Sequence, residues 1–213
     1  MNLRSKAAAL SLTVCAGAAL PAHAVVITFE GIAGGAVTPN GAIEYGSPVL
    51  LDGYTFTTLA TATNPAQFAT WTAASNADAS YSNFTGSASL FSNSGTASTM
   101  TSSNGGAFSV TSVSVANLYR QSSGGNVVSF VGARAGGGSV TQTYALPAGD
   151  ALHAVGLAGF DSVLSLTLFT SVFGEPNAYF QFDNIAAQAV PEPASLLMLG
   201  AGLMALLALR RRT

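Results

Sequence analysis

A chain of 213 residues suits one domain of ordinary size, but its charge is unevenly placed. Between Val25 and Val190 stand eight acids (Glu30, Glu44, Asp52, Asp78, Asp150, Asp161, Glu175 and Asp183) against Arg120 and Arg134, a formal charge of −6 with no lysine. That balance argues against nucleic acid as a partner, because neutralising phosphates takes clustered cations.

The chain opens with MNLRSKAAALSLTVCAGAALPAHA. Arg4 and Lys6 make a basic start, Ala7–Leu20 a largely apolar run, and Ala22 and Ala24 the small residues of an A-x-A site. Residues 1–24 therefore read as a secretory signal peptide cut between Ala24 and Val25, with Sec translocation and signal peptidase as the implied partners. Cleavage removes Cys15, the only cysteine. The mature protein then has no disulfide and must be held by its core, alone or with metal.

Residues 25–189 form the exported domain, rich in Gly, Ser, Thr, Ala and Asn and crossed by short apolar runs of period two. VVITFE puts Val25, Ile27 and Phe29 on one face, with Thr28 and Glu30 on the other. GYTFTTL and SASLFSN are further strands, whereas NPAQFATWTAA admits a short turn of helix. SNSGTASTMTSSNGG and RQSSGGN read as hairpin loops. In AFSVTSVSVA, Phe108 and Val110 are in phase and Val113 and Val115 are shifted, which predicts a bulge or bend near Thr111 and Ser112. GNVVSFVGARA is a strand, and SVTQTYAL sets Val140, Tyr144 and Leu146 against Ser139, Thr141 and Thr143. ALHAVGL is a strand carrying His153, and VLSLTLF lines up Leu164, Leu166 and Leu168. AYFQFDNIA turns Phe180 and Phe182 inward, with Tyr179, Gln181 and Asp183 on the other side. About eight or more strands without a long amphipathic helix predict an all-β fold, an antiparallel β-sandwich or jelly roll, since a parallel sheet needs crossover helices.

The chain closes with AVPEPASLLMLGAGLMALLALRRRT. Ala194–Leu209 is a run of 16 residues without a charge, short of the about 20 that span a bilayer core comfortably, so Pro193 and its flank must help it across. Arg210, Arg211 and Arg212 stay cytoplasmic by the positive-inside rule, leaving Val25–Pro193 outside. Pro191 and Pro193 hold the preceding segment extended, which suits a protease substrate or a permanent tether alike.

Val190-Pro191-Glu192-Pro193-Ala194, the apolar helix and the final arginines together resemble the PEP-CTERM sorting signal of Gram-negative bacteria. The resemblance covers residues 190–213. It implies exosortase, a membrane cysteine protease that cuts near Pro191, Glu192 and Pro193, a transient inner-membrane anchor, and a destination at the cell surface or in the extracellular matrix. More loosely, ITFE, GSASLFSNSG, GGAFSVTSVSVA and YFQFDNI resemble exported domains of PEP-CTERM proteins, which are jelly-roll-like sandwiches of the carbohydrate-binding type.

Chemistry has few places to sit. His153 is the sole mature histidine, and there is no G-x-S-x-G elbow, mature cysteine or lysine base, so the chain is expected not to be an enzyme. Zinc lacks ligands, but calcium takes oxygen donors. Glu30 in the first strand and Asp183 in the last both fall on polar faces, and they meet if those strands lie side by side. The resemblance adds that carbohydrate-binding sandwiches carry calcium in that region; two solvated carboxylates, or a turn cap by Asp183 and Asn184, are the alternative. Sugars stack on exposed aromatics, for which Trp71, Tyr81, Tyr119 and Tyr179 are candidates, Trp71 and Tyr179 foremost. The expectation is a non-enzymatic surface protein associating with exopolysaccharide. A structural or adhesive protein without a discrete ligand stands beside it, as does a glycoside hydrolase using two carboxylates about 5–10 Å apart.

Overall fold

A computed structural model of the chain describes residues 24–73, 82–93, 95–120, 126–170 and 179–190, together with Gly200 and Gly202 of the tail, which are helical. The expected signal peptide and sorting helix otherwise lie outside the described residues. Ala22–Val190 forms one compact unit.

Among the described residues, fourteen strands join in a single antiparallel network. Its main path runs β2 (Ala36–Val37), β3 (Ile43–Gly46), β6 (Gln67–Thr70), β7 (Leu90–Ser92), β14 (Phe180–Ala189), β9 (Phe108–Asn117), β13 (Val163–Thr170), β8 (Ser98–Ser102), β5 (Tyr54–Thr58) and β4 (Val49–Leu51). Off this path, β1 (Ala24–Ile27) pairs with β14, β12 (His153–Gly156) with β9, and β10 (Val127–Arg134) with β13 and with β11 (Ser139–Ala145).

The network folds over on itself. Three strands separate β14 from β5, which would hold them about 19 Å apart in a flat sheet. Yet the rings of Phe182 on β14 and Phe56 on β5 lie 6.4 Å apart, and Phe29 packs edge-on against both at 5.6 and 5.3 Å. The result is sandwich-like, with Phe108, Phe130, Leu166, Leu168 and Ile185 also fully buried between the layers.

Local rules explain most of the elements. Asp52 and Gly53 both have positive φ, 49° and 81°, and Leu51 pairs with Tyr54; this is the two-residue Asp-Gly turn whose twist suits a hairpin. The expected irregularity in β9 is present: Ala186 faces Ser112 while Ala187 faces Val110, so Thr111 is the extra, exposed residue of a bulge.

Two readings need correction. Leu164 does not share the face of Leu166 and Leu168. Ala133 pairs with Ser165 and Arg134 with Val163, so Leu164 is bulged out, 44% exposed, and Val163 is buried in its stead. SNSGTASTMTSSNGG is not all loop, because β8 lies within it and Met100 is fully buried. NPAQFATWTAA, which admits a short turn of helix, is strand over Gln67–Thr70 and 3-10 helical at Ala73.

A second, smaller cluster lies on the outer face of β6, β7 and β14. Ala42, Ala69, Trp71, Phe91 and Leu118 form it, with Phe84, Tyr119 and Tyr179 packed alongside. The polar side of β14 is covered as well: Gln181 donates to the carbonyls of Asn83 and Asn117, Asp183 meets Ser87, and both are fully buried although they point away from the main core.

Candidate metal centre

Strand β14 has an unbroken neighbour, β9, on one side and a divided one on the other. Phe182 pairs with Leu90 of β7, and Ile185 with Ile27 of β1. Between these pairings lie Asp183 and Asn184. Asn184 takes a left-handed conformation, φ 46°, which asparagine tolerates better than most residues, and the register to β9 shifts there.

Two segments converge on this break. The chain leaving β1 buries Phe29 and turns at Glu30, so Glu30 lies just beyond the strand rather than within it. The segment before β7 supplies Ser87. Its hydroxyl lies 2.6 Å from Glu30 Oε1 and also hydrogen-bonds Asp183 Oδ2. The two carboxylates named from the sequence are therefore brought together.

One hydroxyl carries one proton, so Ser87 donates to only one carboxylate at a time. Asp183 is fully buried and its Oδ1 has no hydrogen-bond partner among the described residues. Burial pushes Asp183 above the usual carboxylate range, and the charge of Glu30 adds to the rise; hydrogen bonds from Ser87 and from the Asn184 and Phe29 backbone offset only part of it. For Glu30, burial acts upward too, but hydrogen bonds to Ser87, Thr28 and the backbone of Glu30 and Ala88 outweigh it and hold the group below its usual range. The pair is polarised: one carboxylate is readily ionised, the other resists ionisation unless positive charge arrives.

The donors suit a hard cation. Two carboxylates and a hydroxyl offer oxygen only, and no group of three or more His, Cys, Asp or Glu side chains exists among the described residues. Calcium accepts such donors and completes its shell with backbone carbonyls and water. The orphaned Oδ1 of Asp183 is the atom that most needs a partner.

The aromatic candidates lie elsewhere. Trp71 is only 4% exposed; its ring packs on Phe91 at 5.1 Å and its Nε1 donates to the Leu118 carbonyl at 3.1 Å. The open stacking face expected of it is absent, because cluster formation satisfies both ring and N–H. Tyr179 is half-buried, edge-on to Tyr119 at 5.9 Å. His153 begins β12 opposite Val115, 6.5 Å from the ring of Tyr144. Tyr81, Pro191, Glu192, Pro193 and Arg210–Arg212 lie outside the described residues. Ala24 and Val25, flanking the expected signal cleavage, already belong to β1. Ser87 is the member of the centre that sequence reasoning missed: a serine in a Ser- and Ala-rich segment carries no distinguishing pattern.

No curated protein matches the chain. Its C-terminal segment matches the PEP-CTERM protein-sorting motif over residues 189–212, starting at the last residue of β14. Such a motif implies processing by exosortase, a membrane protease, and with it export and transient membrane anchoring before release. The protein thus carries a PEP-CTERM protein-sorting motif directly after its β-sandwich-like domain.

Proposed function

We propose that the chain is the precursor of a non-enzymatic protein of the cell surface or extracellular matrix of a Gram-negative bacterium, whose jelly-roll-type domain associates with exopolysaccharide. The sorting motif at residues 189–212 carries this reading. The acidic, lysine-free domain supports a partner that is neither nucleic acid nor polyanion. Burial of Asp183 supports a structural rather than hydrolytic role for the carboxylate pair, since a scissile bond needs access to both groups. Glu30, Asp183 and Ser87 would hold Ca2+, which neutralises the pair and ties the segment after β1 to the break in β14.

The mass of the protein isolated from cells tests the sorting half. A signal cut between Ala24 and Val25, together with loss of the tail only where exosortase is present, is the expected result; a tail retained in exosortase-positive cells refutes it. Retention on polysaccharide-containing gels tests the matrix half. Burial of Trp71 favours a second reading, a structural or adhesive protein without a discrete ligand, for which retention would be absent on every gel.

A further inference from the structure

A cleft of about 480 Å³ opens on the outer face of β3, β6 and β7, away from the carboxylate centre, within the ~300–1,000 Å³ typical of small-molecule sites. Its floor follows from register. Glu44 on β3 and Phe91 on β7 both pair with Ala69 on β6. Ala69 rises too little to separate its neighbours, so Glu44 reaches across it and Oε1 accepts a 2.7 Å hydrogen bond from Asn93 Nδ2. Trp71 and Phe91, 4% and 3% exposed, contribute the small apolar part of its wall. Beside them the 38–42 turn, whose Ala42 packs in the same cluster, is held by its own bonds, Thr38 N–H to the Ala42 carbonyl at 2.8 Å and Gly41 N–H to the Thr38 carbonyl at 2.9 Å, and Thr72 Oγ1 fastens it by donating to the Gly41 carbonyl at 2.8 Å.

We infer that this cleft binds one uncharged sugar unit of a polysaccharide, with Glu44 and Asn93 accepting hydrogen bonds from its hydroxyls beside the Trp71 and Phe91 wall. The inference rests on the exopolysaccharide reading and gives it a site. Glu44 Oε2 and Asn93 Oδ1 have no partner among the described residues, while Asn93 Nδ2 keeps a second N–H and the Asn40 amide adds further donors, so the cleft presents acceptors and donors together and suits hydroxyls, which serve as both. Neither Arg120 nor Arg134 lines it, and the Glu44 carboxylate repels an acidic sugar. A purely apolar ligand would strip water from the Glu44–Asn93 pair without replacing it. A neutral polyol meets each requirement, and the anchored turn lowers the ordering cost of binding.

Trp71 is the only tryptophan of the chain, so its emission reports on this wall directly. The test uses the processed protein purified from exosortase-positive cells, with dextran, galactomannan, alginate and chitosan as probes in affinity gels and in Trp71 titrations. Retention by a neutral glycan, a saturable shift of Trp71 emission, and at least a tenfold loss of affinity in both Glu44→Gln and Asn93→Ala are expected, since each variant removes an acceptor from a binding pair. Melting temperatures within about 2 °C of the unsubstituted protein, under the 1 kcal/mol scale for a domain of this size, show that the variants fold; Asn93 is exposed, so its variant keeps the test decisive if Glu44→Gln unfolds. Retention that neither substitution weakens, with unchanged Trp71 emission, overturns the cleft and leaves the exopolysaccharide reading standing. Stronger retention by alginate or chitosan than by the neutral glycans overturns the ligand class. No retention by any glycan overturns the cleft and that reading together.

Discussion

Replacing Asp183 by asparagine is expected to act in opposite directions with and without calcium. Both carboxylates reach the Ser87 hydroxyl, which puts their nearest oxygens about 4–5 Å apart. At an effective dielectric of about 20, two full charges at that distance repel by about 3–4 kcal/mol, and the exposure of Glu30 reduces this to about 1–3 kcal/mol. In chelator, Asp183→Asn removes that repulsion and the cost of ionising a buried group, so the variant melts at or above the unsubstituted protein. With calcium at about 100 times its dissociation constant, the unsubstituted protein gains about 2.7 kcal/mol, about 5–10 °C for a domain of this size, whereas the variant keeps an amide oxygen but has lost one of the two ligand charges and gains much less. Thermal melting of the processed protein in excess EDTA and in millimolar calcium chloride reads both. A crossing of the two melting temperatures between buffers is the expected result. A calcium-independent melting temperature for the unsubstituted protein refutes the metal reasoning, and a variant less stable in chelator refutes the electrostatic reasoning beneath it.

The same pair predicts a pH dependence in chelator. Asp183 is raised on folding, so its contribution is present below the ordinary aspartate range and is lost as pH rises through the folded value; Glu30 is lowered, so its contribution is present above the ordinary glutamate range and is lost as pH falls through the folded value. Urea unfolding from pH 7 to pH 4 should therefore show the unsubstituted protein gaining on Asp183→Asn, and Glu30→Gln gaining on the unsubstituted protein; parallel pH curves would contradict both. Leu166→Ala should cost about 2–5 kcal/mol in urea unfolding, as a fully buried leucine does, while Leu164→Ala at the exposed bulge should stay within about 0.5 kcal/mol; equal losses would contradict the bulge. Gly132→Ala should cost about 1–3 kcal/mol, because a Cβ there lies 2.8–2.9 Å from Val163, Phe160 and Val140, and an unchanged midpoint would show that this contact relaxes.

Period-two alternation was legible wherever one face of a strand meets the core and the chain stays in register. Ile27 with Phe29, and Phe108 with Val110, fall where the pattern puts them, and the phase shift in AFSVTSVSVA marks the bulge at Thr111 because a bulge is a one-residue change of phase. Leu164 shows the limit. Its bulge leaves the leucine repeat intact in sequence, since the residue that replaces it inward is Val163, also apolar, so no change of phase is visible. Strand β8 was hidden for a different reason: only Ser98 and Met100 of its five residues are fully buried, and one methionine among serines and threonines is too weak a periodic signal. Gln181 and Asp183 fall on the polar side of β14, where the pattern puts them, but their burial depends on segments remote in sequence, Asn83 and Asn117 for Gln181 and Ser87 for Asp183.

That dependence separates what a sequence can say about the two candidate sites. Glu30 and Asp183 could be paired in advance because each sits near a chain end, and β1 against β14 is a pairing that brings both ends of the domain together. Ser87 enters only because β7 stops where β1 begins along the same edge of β14, a fact of topology rather than of local pattern. The cleft is less legible still. Glu44 and Asn93 are 49 residues apart and are joined across Ala69, whose role is to be small. Trp71 was the residue most visible as a ligand contact, yet its indole is committed to Phe91 and Leu118, so it can act only as a wall. The polar partners that would give the wall specificity are an ordinary glutamate and an ordinary asparagine, and nothing but the strand order β3-β6-β7 sets them facing each other.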